Sequence, residues 1–289
     1  MLQIEFGPAD LVGLRFAHSP MVEVVTSGFA LNQPARFWLY GAWRARVRPL
    51  LAGADLRTFL AVVGAPTGHV PDFLTPVPAT ARPSLDEELR VVAATPLDTV
   101  AAEVDAAWAG HPAPPEIRRF GTDPAGGLAE LVAQVRRYFA LAVAPVWPRL
   151  RAAVEGEIAY RGLAAAERGP RALIAGLHPG LDWDGTALRI RHAKSRYWGL
   201  DGHRLALLPA GFAGPVVHTL TEAPADRALW YPPRGYGRLW DQPVRVEPPA
   251  ALAALLGPTR AAVLTMLAVP RSTGEVATAL RLAPATASH

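Results

Sequence analysis

His178, Asp182 and Asp184 lie close together and have the residue types of a metal site or of acid-base chemistry, in which an imidazole and carboxylates ligate a cation or exchange a proton. Their surroundings favour a plainer reading. His178 precedes Pro179 and Gly180 and belongs to a loop, while Asp184 and Gly185 form a hairpin-turn dipeptide, so turn chemistry accounts for these residues without a metal. A second set, Arg36, Arg44, Arg46 and Arg48 interleaved with Phe37, Trp38, Tyr40 and Trp43, could stack on bases and contact phosphates. An amphipathic helix that buries its aromatics and runs arginine stems along the rim explains the same residues, and we adopt it. The tract from His192 to Trp198 is open to the same two readings, and a charged strand edge is the one adopted. The chain has no Gly-x-Ser-x-Gly elbow, no His-Glu-x-x-His helix and no Walker-type glycine loop. Nothing nominates a nucleophile or a cofactor, and the expectation is a protein that is not an enzyme.

The third set lies at the C-terminal end. Thr273, Pro284, Thr286, Ser288 and His289 sit in a pattern of three short helices, the last two joined by a tight turn. Pro258 suits a first helical turn, and Ala262, Val263, Met266 and Leu267 follow at the spacing of one buried stripe before Pro270 stops the helix. Ser272 or Thr273 can cap the next helix, with Glu275 placed for a capping box and Val276, Ala277 and Leu280 on the apolar face. Leu282 plugs the turn and Pro284 opens a third helix. There, short polar side chains at Thr286, Ser288 and His289 would reach phosphates or base edges, with Thr273 near a phosphate at the second helix's N-terminus. Arg260, Arg271 and Arg281 would add salt-sensitive affinity.

Residues 255–289, above all the tract Thr273-Gly-Glu-Val-Ala-Thr-Ala-Leu-Arg-Leu-Ala-Pro-Ala-Thr-Ala-Ser-His289, resemble the start of an ArsR-like winged helix-turn-helix regulator. The upstream chain resembles the long N-terminal domain of unassigned function carried by some of these regulators, through His69-Val-Pro-Asp-Phe-Leu-Thr-Pro76 and Val146-Trp-Pro-Arg-Leu-Arg151. The resemblance implies a transcriptional regulator of repressor type that acts as a homodimer on palindromic double-stranded DNA. It leaves the effector ligand unspecified. The expectation is that the third helix stops short and the wing is missing, so that these 289 residues alone bind DNA weakly or not at all. The rival reading is a small-molecule-binding or hydrolytic module with an accessory helical tail, and a further one has the tail serve only subunit packing.

Composition is compatible with this. Hydrophobic residues are 51% and charged residues 19%, so the chain can bury real cores. Cysteine is absent, which excludes a disulfide framework or a thiolate metal site, including the cysteine-based sites of metal-sensing ArsR-like proteins. The net charge of +4 comes from 29 basic against 25 acidic residues, a balance that permits DNA binding without demanding it. No basic leader with an apolar core opens the chain, and no window of about eighteen apolar residues crosses it, so a cytoplasmic protein without membrane contact is expected.

The positioning elements follow from periodicity. The fold class expected is α+β: a mostly helical part over 7–177, an antiparallel β meander over 178–247, then the incomplete winged module over 250–289. Residues 1–247 would form one domain for sensing or dimerisation. Leu2, Ile4 and Phe6 alternate as an N-terminal strand, and Pro49 is expected to interrupt a helix. The proline-rich stretch 64–83 reads as a loop pinned to the core by Phe73 and Leu74. Ser84 and Glu87 make a capping box, Thr95 caps the next helix, and Asp123 and Pro124 open a longer one. Asp184-Gly185 and Asp201-Gly202 mark hairpin turns. Most of the eight tryptophans are assigned to cores, and some are candidates for an effector pocket.

Overall fold

The computed structural model describes residues 1–7, 10–190, 196–200, 202–220, 227–240, 248–267, 273–280 and 282–283. The α+β class is as expected, with helices filling most of the first 170 residues. Helix α1 (Pro20–Asn32) starts at Ser19, whose hydroxyl accepts the Val22 amide hydrogen. Every residue from Pro20 to Ala30 is buried, so α1 is an axle enclosed on all sides. Helix α2 (Gly41–Ala52) runs through Pro49 and is not interrupted there. The proline falls in the last turn of an exposed flank and removes only one ladder hydrogen bond. Helix α3 (Arg57–Val63) follows and meets α1 where Gly28 lies against Val63, a contact that a Cβ would obstruct at 2.9 Å.

Phe73 and Leu74 are buried and pin the 64–83 loop, as expected. Helix α4 (Leu85–Ala93) carries the full capping box, Ser84 and Glu87 each engaging the other's backbone. Helix α5 (Leu97–Ala107) starts without a side-chain cap, because Pro96 and not Thr95 occupies the capping position. Helices α6 (Pro115–Thr122) and α7 (Pro124–Tyr138) meet at Asp123, whose carboxylate accepts the Gly126 amide hydrogen at 2.9 Å. A π turn over Phe139–Val143 and a 3-10 turn over Ala144–Val146 absorb Pro145 and lead into α8 (Trp147–Arg168).

The β part departs from the meander. One sheet has the order β3 (Leu181–Trp183), β4 (Ala187–Ile190), β1 (Leu2–Glu5), β5 (Arg196–Gly199), with β1 antiparallel to β4 and parallel to β5. The other has the order β2 (Arg15–Phe16), β6 (Leu205–Pro209), β8 (Arg227–Tyr231), β7 (His218–Leu220), with only the β7/β8 pair antiparallel. The sheets are therefore mixed, and strands from the first sixteen residues enter both. Asp184-Gly185 does close the β3–β4 hairpin, with Gly185 at φ +100°. Gly202 instead lies between strands of different sheets, so it marks no hairpin; Asp201 lies outside the described residues. Alternation along a strand reports which face is buried and says nothing about which strand lies beside it, hence the difference.

The second sheet is the middle layer. Along β6, Ala206 and Leu208 join the core shared with the helices, while Leu205 and Leu207 join the core against the first sheet. Along β8, Ala228 and Trp230 take the first side and Leu229 and Tyr231 the second. Burial on both faces suits the parallel β6/β8 pair and the unbroken apolar run of β6.

After β8 in sequence, helices α9 (Ala250–Leu256), α10 (Pro258–Met266) and α11 (Thr273–Leu280) pack on one another, α10 touching both of the others. The buried stripe of α10 is Ala261, Ala262 and Met266; Leu267 is 47% exposed, contrary to the expected stripe. Val276 and Ala277 are buried, as expected, and the Leu282 amide donates to the Ala277 carbonyl at 2.8 Å. A winged helix-turn-helix is not shown, since Pro284, Thr286, Ser288 and His289 lie outside the described residues, as do Arg271, Ser272 and Arg281. Among the described residues no helix is long and apolar enough to cross a membrane.

Candidate functional site

A cleft of about 1090 Å³ opens beside β7, the edge strand of the middle sheet. Its volume is that of a site for a small molecule. The last turn of α1 supplies Phe29 and Asn32, and Gln33 caps it; Arg36 and Phe37 follow; the 64–72 loop and the 178–180 loop form the rims. The two sides are brought together by pairing, not by neighbourhood in sequence. β7 is held to β8, which is held to β6, and both sit on the core that encloses α1.

His218 is the centre of the aromatic wall. Its ring stacks on Phe29 at 5.4 Å between centroids and leans on Trp230 at 5.7 Å. Nε2 lies 3.3 Å from the Ala213 carbonyl oxygen, an atom that can only accept, so Nε2 carries the hydrogen and Nδ1 keeps the lone pair. Burial pushes the imidazole down to about 4, the Arg36 charge contributing, and the ring is neutral at physiological pH. The turn before it depends on Gly214, which holds φ +71° and leaves no room for a side chain: a Cβ would lie 2.6 Å from the Phe37 ring.

A buried polar knot ties α1 to the turn after β6. Glu23, wholly buried, accepts the amide hydrogens of Gly211 and Phe212 at 2.8 and 3.0 Å and lies 3.2 Å from His18 Nε2. Tyr40 donates its hydroxyl to the Gly211 carbonyl at 3.1 Å, so the same glycine is gripped from both sides. His18 in turn stacks flat on Trp147, at 4.5 Å and 7°. Glu88 accepts the Met21 amide hydrogen at 2.8 Å, and burial pushes its carboxyl up to about 7.

His178 lines the cleft, but it does not join the aspartates in a site. Its Nδ1 accepts the Gly180 amide hydrogen at 2.9 Å, and burial lowers its basicity. Asp182 and Asp184 are engaged by Arg189, at 3.4 and 2.7 Å, and Asp184 also accepts the amide hydrogens of Thr186 and Ala187. Those amide bonds hold the Asp184 carboxyl well below the usual carboxylate range, which is the signature of a tight turn. Among the described residues no group of three His, Asp or Glu is placed to hold a metal.

The arginine and aromatic tract is not the single amphipathic helix expected: Trp38–Tyr40 form a 3-10 turn before α2, Trp38 is exposed and Arg44 is buried, because Arg44 caps backbone carbonyls in the core. Phe37, Tyr40 and Trp43 are buried, and Arg44 is buried too, donating to the carbonyls of Ala30 and Phe37 at 2.9 and 2.7 Å. Trp38, Arg36, Arg46 and Arg48 face solvent. Arg36, at the cleft, has its guanidinium carbon 5.7 Å from the Phe37 ring centroid. Of the tryptophans, Trp230 lines the cleft, while Trp43 and Trp240 are core. Nothing in the sequence marked His218 or Phe29; the pairing that joins them spans most of the chain. At the C-terminal end, Thr273 begins α11 and is exposed, as is Arg260 on α10.

No family model, no curated protein and no solved structure matches this chain. The ArsR-like reading therefore rests on the residues quoted for it.

Proposed function

We propose that the protein is a ligand-responsive DNA-binding regulator of the ArsR-like type, in which residues 1–247 sense a small molecule and the helices from residue 250 onward contact DNA as a homodimer. The observation that carries the reading is the packing of α10 against α11, with Ala261, Ala262, Val276 and Ala277 buried and the Leu282 amide donating to the Ala277 carbonyl at 2.8 Å. On this reading α10 and α11 are the first two helices of a helix-turn-helix, with Thr273 exposed at the start of the second. The third helix, with Thr286, Ser288 and His289 as its contacts, would enter the major groove. Repression is the mode the resemblance implies.

The test is selection of genomic DNA fragments by the intact gene product at low salt, followed by mobility shifts on the selected sites. A palindromic site whose affinity falls steeply with salt is the expected result. Absence of any sequence preference would overturn the reading in favour of the small-molecule module with an accessory tail.

A further inference from the structure

The cleft carries chemistry that narrows its ligand. Its wall is aromatic on one side, where Phe29, His218 and Trp230 lie ring against ring. Its charges are few. Arg36 is the lining cation, and among the described residues it has no carboxylate partner. Asp72, the lining carboxylate, already has a partner of its own. Among its hydrogen-bonding groups, the amides of Asn32 and Gln33 can donate or accept, and His218 Nδ1 can only accept.

We infer that this cleft binds a flat aromatic carboxylic acid carrying a hydroxyl, its carboxylate on the Arg36 guanidinium, its ring along the Phe29, His218 and Trp230 wall, and its hydroxyl donating to His218 Nδ1. A guanidinium matches a carboxylate with two parallel N–H donors, and a cation beside an aromatic wall selects ligands that are both flat and anionic. A neutral imidazole whose Nε2–H is committed to Ala213 offers a lone pair and no donor, so it favours a ligand with an O–H at that place over one with a bare acceptor. That the acid serves as the effector rests on the regulator reading above; that the cleft binds it does not.

The experiment is calorimetry of the whole protein, without DNA, against naphthoate, hydroxynaphthoate and naphthylmethanol. Both acids should bind, hydroxynaphthoate more tightly, and the alcohol about tenfold or more weakly. Arg36→Gln should weaken both acids by about tenfold while leaving the melting temperature unchanged, because Arg36 is exposed. Arg36→Lys should restore part of the loss. His218→Phe should erase the advantage of hydroxynaphthoate while retaining naphthoate. Failure of both acids to bind in the millimolar range, equal binding of the alcohol, or an Arg36→Gln variant of unchanged affinity would overturn the inference. Since no DNA is present, those failures leave the regulator reading standing, and loss of DNA selection leaves the cleft standing.

Discussion

Glu23 reaches Gly211 across 188 positions of chain, its Oε1 accepting the glycine amide hydrogen at 2.8 Å in a wholly buried site. A buried carboxylate is tolerable only when its oxygens are met by donors, and here two backbone amides and His18 meet them. Glu23→Gln puts an amide NH₂ against one of those N–H groups. The expected loss is about 2–4 kcal/mol, read from urea denaturation at neutral pH. A change below about 0.5 kcal/mol would mean that the knot contributes little and that the turn is held by packing alone.

Two glycines of equal φ separate backbone strain from crowding. Gly214 and Gly68 hold +71° and +73°, but only Gly214 has a ring against it. Gly68→Ala should cost about 1 kcal/mol, and Gly214→Ala about 2–3 kcal/mol more as the Phe37 ring is displaced. Equal losses in thermal denaturation would show that Phe37 moves aside freely.

Glu88 and His218 oppose one another in pH. The Glu88 carboxyl is raised by burial to about 7 from an ordinary 4.5, so its contribution is full below 4.5 and is lost as pH rises through 7. His218 is lowered by burial to about 4 from 6.5, so its contribution is full above 6.5 and is lost as pH falls through 4. Each amounts to about 3 kcal/mol, and between pH 4 and 7 they largely cancel. Glu88→Gln removes one arm: the variant should lose about 3 kcal/mol on going from pH 7 to 4 while the wild type changes little. His178, also lowered by burial, adds in the same direction as His218. Parallel pH profiles for the two proteins would contradict the assignment.

Trp38 and Trp43 stand in one tract with opposite fates, 72% and 1% exposed. Trp43→Ala should cost about 3–5 kcal/mol, since it leaves a cavity and an unmet Ala142 carbonyl, whereas Trp38→Ala should stay within about 0.5 kcal/mol. Guanidinium unfolding of the two variants separates them.

Local chemistry was legible where the cause lies within a few residues. The Ser84–Glu87 capping box, the Asp123 cap, the Asp184-Gly185 turn and the pinning of the loop by Phe73 and Leu74 all depend on near neighbours, and each is present. Partners distant in sequence were not legible. Leu150, Val154 and Ile158 are apolar residues at four-residue steps, yet the next buried positions after Val154 are Glu157 and Arg161, bonded to each other at 2.7 Å. Arg161 also donates to the Gly176 carbonyl, and Glu157 accepts from Arg234, so the helix face is set by groups that arrive from later chain. The cleft is the same case. Phe29 and His218 each look ordinary in sequence, and strand pairing makes them one wall.

The placement of β1 and β2 has a consequence for biosynthesis. Residues 2–5 lie between β4 and β5, and residues 15–16 pair with β6, so this early-made segment waits for partners made after position 186. Until then Leu2 and Ile4 have no sheet to enter, and the helices of the first 170 residues can close around α1 only in part, since the Gly211 turn that satisfies Glu23 has yet to be made. Assembly of the layers is therefore a late, chain-wide event, and a nascent chain arrested anywhere before β8 keeps apolar strand residues without their partner layer.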